Sequence, residues 1–160
     1  MRGRAVSVSV ISVVLALFLA GAGWGEPLQK KSISLEDARK AAAAAATEAK
    51  KNKWTMAIAV VDDGGLLVYF ERIDETQFGS IDIAIGKART AASLKRPTKA
   101  LEDALNKGQY AILAFPNILP REGGLPIFAD GKVVGAIGVS GGTSTEDAQV
   151  ANAGVDALKK

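Results

Sequence analysis

Apolar positions along this chain alternate between two spacings, and the switches divide it into elements. Leu35, Ala38, Ala41, Ala42, Ala45, Ala46 and Ala49 recur at helical spacing, which predicts a first helix with an alanine face. Ser34 stands where it can cap the free amides, with Asp37 three residues on, and Ile33 and Ala38 are placed as a hydrophobic staple. From Met56 to Asp62 the pattern becomes a continuous apolar run; Asp63-Gly64-Gly65 follows, then Leu66 to Arg72, which together predict a β-hairpin. A second hairpin is expected from Leu125 to Ala129, the turn pair Asp130-Gly131, and a longer strand from Lys132 to Ser140. The apolar character of that strand suits a central position covered on both faces.

Between the hairpins, Ile81, Ala84, Ile85, Ala88 and Ala92 return to helical spacing over Ser80 to Ser93, and Thr98 to Lys107 reads as another helix capped by Thr98. Tyr110 to Gly124 is irregular, with Pro116, Pro120, Gly123 and Gly124, and irregular segments of this kind often carry function. A last helix is expected after Gly141-Gly142, capped by Thr143 or Ser144, with Ala148, Ala151, Val155 and Leu158 facing inward.

The first 25 residues follow a different logic. Arg2 and Arg4 precede an apolar run from Ala5 to Ala20, and small residues follow through Gly25, the pattern of a secretory signal peptide cleaved after Ala22 or Gly25. The run is short for a membrane span, which needs about 20 apolar residues, so no stable membrane insertion is expected after cleavage. A periplasmic or secreted domain over residues 26–160 is therefore the expectation. Removing the segment takes away two arginines and no acid, so the formal charge falls from +3 to +1. A nearly neutral domain lacks the clustered cations that nucleic acid requires, and no nucleic-acid partner is expected.

The chain contains no Cys and no His. The usual zinc ligands and the usual general base are both missing, and no metal site is expected. Gly138-Val139-Ser140-Gly141-Gly142 matches the nucleophile-elbow pattern between a strand and a helix, but the triad needs an imidazole to take the serine proton. The same glycines, with Thr143, allow an anion site on helix amides or a tight strand-to-helix turn. Arg72 and Asp74 project the same way from a strand end: either Arg72 pairs with a ligand acid while Asp74 orients it, or the two belong to an internal ion-pair network that includes Lys87. Met56 and Tyr69 fit core packing, whereas Tyr110 opens the irregular segment and is a ligand candidate. No pair of side chains stands out as acid and base, which favours binding over catalysis.

Several separated motifs resemble the GlcG/HbpS-like family, also called the haem-degrading domain family, which includes the C-terminal domain of PduO-type proteins. They are Val61-Asp62-Asp63-Gly64-Gly65, Arg72-Ile73-Asp74, Asp82-Ile83-Ala84 with Lys87 to Ala92, Gly123 to Ile127, and Gly135 to Gly142 with Asp147. The resemblance runs from about Ser32 to Ala157. It implies a profilin-like or PAS-like α/β sandwich, an antiparallel sheet of about five strands flanked by helices, and assembly into homo-oligomers. It also implies binding of haem, a corrinoid or a small metabolite. Without histidine, haem would need an oxygen ligand such as Tyr or Thr, or no strong axial ligand. Three functions follow. One is an exported haem or tetrapyrrole binder using the 110–124 segment and Arg72 or Lys87. Another is a binder of a small carboxylate or hydroxy acid, accessory to an oxidation pathway, using Arg72, Lys87 and the Gly123 and Gly124 amides. The last is a structural oligomer without ligand.

Overall fold

The computed structural model describes Glu26 and residues 28–159; the expected signal segment lies outside them. Residues 31–160 form one compact unit. Helix α1 (Leu35–Lys51) starts where Ser34 accepts the Asp37 amide at 3.0 Å, and the Ser34 hydroxyl donates in turn to the Asp37 carboxylate. Its six buried residues, from Ala38 to Ala49, are all alanines. Strands β1 (Ala57–Asp62) and β2 (Leu67–Arg72) form the first hairpin, and β3 (Gly124–Ala129) and β4 (Lys132–Ser140) the second. Between them lie α2 (Gly79–Leu94), α3 (Lys99–Asn106) and a 3-10 turn (Tyr110–Ala114); α4 (Ser144–Asp156) closes the order.

The strands form one antiparallel sheet in the order β2-β1-β4-β3, four strands among the described residues where the resemblance implied about five. The two inner strands are buried throughout Ala57–Val61 and Val134–Ser140, as the apolar run of β4 requires of a strand covered on both faces. Alternation along β1 sorts its side chains: Ile58 and Val60 face a core closed by α1 and α4, while Ala57, Ala59 and Val61 face α2. The second layer is built almost entirely from alanine, so α2 lies very close to the sheet. Gly138 marks the tightest point, where a Cβ would overlap the Ala84 carbonyl and come within 2.5 Å of the Ala88 amide nitrogen.

One local expectation is corrected. Thr98 makes no side-chain cap for α3; its hydroxyl accepts the Gly124 amide at 2.9 Å, because that amide would otherwise be buried without a partner. On and just past α4 the predicted Ala151 is buried and Val155 and Leu158 pack partly buried against the core, joined by the buried Asp147, Val150 and Gly154, and Thr143 caps the helix in a capping box with Glu146.

Gly138→Ala is expected to lose stability at or above the upper end of the ~1–3 kcal/mol range for overpacking, since the obstruction is helix backbone and cannot rotate away. Gly79→Ala, where nothing lies within 4 Å of the added carbon, serves as the comparison and is expected to be neutral or mildly stabilising. Urea unfolding midpoints measure both; equal midpoints for the two variants would contradict the close helix-on-sheet contact.

Candidate functional site

Register brings four of the sequence-derived residues to one end of the sheet. Arg72 faces Ala57, Ala57 faces Ser140, and the Val139 amide donates to the Gly123 carbonyl at the start of β3. Arg72 is exposed, and its guanidinium stands 5.2 Å from the centre of the Phe78 ring, itself 79% exposed. Neither Arg72 nor Asp74 has an ion-pair partner among the described residues, so the internal network with Lys87 is not formed.

Lys87 is instead 1% exposed. Its ammonium donates to Asp147 Oδ2 at 2.6 Å and to the Val139 carbonyl at 2.9 Å, so it is not available as a surface cation. Burial pulls the Lys87 pKa down and pushes the Asp147 pKa up, and each partner works against the shift of the other. A Cβ on Gly123 would sit 2.8 Å from Asp147 Cβ and 2.9 Å from Lys87 Nζ, and Gly123 has a φ of +113°. Glycine is needed there on both counts. With the Gly124 amide already given to Thr98, residues Lys87, Gly123 and Gly124 form a sealed junction rather than an open anion site.

The amides at the start of α4 are likewise occupied. The Gly142 amide donates to Asp147 Oδ1 at 3.0 Å and the Thr143 amide to Glu146 Oε2 at 2.8 Å, so the chain's own carboxylates fill the position an external anion would take. The Ser140 hydroxyl is buried and directed to Ser80. Met56 lies in the core and Tyr69 packs against it, as expected. Tyr110 is 69% exposed on the 3-10 turn, and no hydrogen bond joins its side chain to the other candidates among the described residues. No group of three or more acidic side chains among those residues is placed to hold a metal ion.

A cleft lies elsewhere in the fold. It has a volume of about 620 Å³ and opens between the β1–β2 turn (Gly64, Gly65, Leu66), one stripe of α2 (Gly86, Arg89, Ser93) and Asn117, Ile118 and Leu119 of the irregular segment. Asp62 Oδ1 shapes the turn by accepting the Gly64 and Leu66 amides at 2.9 and 2.8 Å. The Leu119 amide donates to the buried Thr90 hydroxyl at 2.9 Å, and the Leu119 side chain rests over Gly86, fixing the third wall. Arg89 Nε donates to the Gly65 carbonyl at 3.2 Å, and no carboxylate pairs with this guanidinium among the described residues. Arg89 appeared in the sequence only inside a family motif. The available signal was its stripe: Gly86, Arg89 and Ser93 share one helix face, on which the glycine leaves a groove.

Residues 33–156 match the family model described as haem degrading protein HbpS-like. The chain is 44% identical over 98 residues to protein GlcG of Escherichia coli K12, covering 61% of this chain and 73% of GlcG. A double mutant of Streptomyces reticuli HbpS superposes with a TM-score of 0.80 at 36% identity, over 88% of this chain and 96% of that one. The crystal structure of a PduOC–haem complex gives 0.73 at 25% identity, over 80% and 96% respectively.

Breaking the buried pair from one side leaves a stranded charge, so Asp147→Asn is expected to lose about 3–5 kcal/mol of stability, and a Lys87→Met, Asp147→Leu double variant to recover much of it. The sign with pH is fixed by the lowered Lys87 pKa. Between its folded value and the ordinary 10.5, the unfolded chain binds more protons than the folded one, so stability of Asp147→Asn rises with pH in that window. Arg121 and Glu102 are the other charges acting on Lys87. Chemical denaturation at pH 7 and 10 tests this; a deficit that grows with pH would contradict it.

Proposed function

We propose that this chain, which belongs to the haem degrading protein HbpS-like family, is an exported, self-associating protein that binds haem or a related tetrapyrrole in the cleft beside Arg89. The observation that carries the reading is the cleft itself. Its volume of about 620 Å³ falls within the ~300–1,000 Å³ usual for cofactor sites. Leu66, Ile118 and Leu119 offer apolar contact to a flat ring, and Arg89 offers a cation to an acidic substituent.

The lining fits the macrocycle and a propionate better than it fits iron. The chain has no His or Cys, and neither tyrosine nor Met56 lines the cleft. Affinity therefore comes from ring burial and carboxylate pairing. With no carboxylate among the lining residues to move a proton, the reading is binding rather than turnover. The unpaired Arg89 also suits the second reading, a small carboxylate or hydroxy-acid ligand. Self-association is supported by the exposed Phe78, Leu113 and Phe115.

Haemin titration of the purified protein is expected to give a saturable Soret shift. Ser93→Trp, which fills the cleft from an exposed helix position, should weaken it at least about tenfold, about 1.4 kcal/mol. Arg72→Ala should leave it unchanged. No saturable shift, or loss in Arg72→Ala alone, would overturn the haem reading or its location. Export is checked by intact mass after expression of the full chain in a Gram-negative host: a periplasmic product beginning at Gly23 or Glu26 is expected, and an unprocessed cytoplasmic chain would contradict it.

A further inference from the structure

We infer that Arg89 is the specificity-determining residue of the cleft and that the group it recognises is a ligand carboxylate. The inference rests on the cleft being the binding site and deepens that reading. It applies whether the carboxylate is a tetrapyrrole propionate or belongs to a small free acid.

The geometry of Arg89 is that of a guanidinium held at one end and open at the other. Its Nε donates to the Gly65 carbonyl at 3.2 Å, while the two terminal nitrogens have no protein partner among the described residues. Gly65 can present its carbonyl there because it adopts a φ of +80°, a left-handed conformation that glycine takes without strain. A Cβ at Gly65 would lie 3.6 Å from Arg89 Cγ, so the turn also packs along the arginine stem. Asp62, the acid that organises the turn, spends one carboxylate oxygen on the Gly64 and Leu66 amides. The arginine is thus oriented by a neutral backbone group and keeps its full charge uncompensated, with a planar fork suited to two parallel bonds to a carboxylate.

Other cations in the fold are differently placed. Lys87 is sealed against Asp147, Arg121 is paired with Glu102 at 3.0 Å, and Arg72 stacks on Phe78 outside the cleft. Beside Arg89, Leu66, Ile118 and Leu119 supply an apolar wall, so an acid with a hydrophobic body is held at both ends.

The test compares charged and uncharged forms of two probes on the full chain: haemin against its dimethyl ester, and lactate against lactamide. Binding is followed by NMR at the Arg89 Nε–H and the Gly65 amide. The expected result is that haemin, lactate or both perturb these signals and that the uncharged counterpart binds about ten- to a hundredfold more weakly. Read at the Gly65 amide, which both variants retain, Arg89→Ala should show the same loss, and Arg89→Lys, which keeps the charge without the fork, an intermediate one. A response to haemin alone assigns the carboxylate to a tetrapyrrole. A response to lactate alone keeps the inference and removes the haem reading. If the ester binds as well as haemin and Arg89→Ala is indifferent, the inference fails while tetrapyrrole binding stands. If neither acid perturbs the two signals, the inference is overturned.

Discussion

The ion pair between Lys87 and Asp147 ties together parts of the fold that share no other charged link among the described residues. Lys87 belongs to α2, which covers one face of the sheet, and Asp147 to α4, which packs with α1 on the other. They meet beside Gly123, where β3 begins and where no side chain would fit. The pair also bonds the Val139 carbonyl and the Gly142 amide, so it fixes the end of β4 and the turn into α4 at once. Burying two charges is costly, and such a pair is not strong evidence for stability by itself. Its effect is positional: a small displacement of either helix would leave a charge unpaired.

The alanine layer under α2 follows from the same economy of space. With Ala57, Ala59, Val61 and Ala136 below and Ala84, Ala88 and Ala91 above, the helix approaches until Gly138 touches its backbone. A helix held this closely presents its outer stripe in a fixed position. Gly86, Arg89 and Ser93 on that stripe then become one wall of the cleft, and the hydrogen bond from Leu119 to Thr90 sets the opposite wall relative to the same helix. Core packing on the inner side of α2 thereby determines the geometry of the site on its outer side.

Much of this was legible in the sequence, and the limits have physical causes. The hairpins were marked by Asp63-Gly64-Gly65 and Asp130-Gly131, and the first helix by Ser34 with Asp37, because those signals are local. The central place of β4 followed from its unbroken apolar run. For Lys87 the sequence leaves a ligand cation and an internal ion pair both open, because its partner lies 60 residues away and a lysine amid alanines gives no local sign of burial. The glycines before α4 leave an anion site and a tight turn both open in the sequence, and spacing alone does not show that Asp147 and Glu146 fold back onto their amides. The cleft was not visible because its three walls come from three separate stretches of chain. Only the contribution of the irregular segment is anticipated; Asn117 to Leu119 line the cleft and Tyr110 does not.

Paramagnetic broadening by ferric haemin, mapped over the backbone amides, tests the central claim most directly, since it locates the ligand without a substitution. The strongest broadening is expected at Gly65, Leu66, Gly86, Ser93 and Leu119, fading towards the other end of the sheet. Broadening centred on Phe78 and Arg72, or spread evenly over the surface, would contradict a tetrapyrrole site in the cleft.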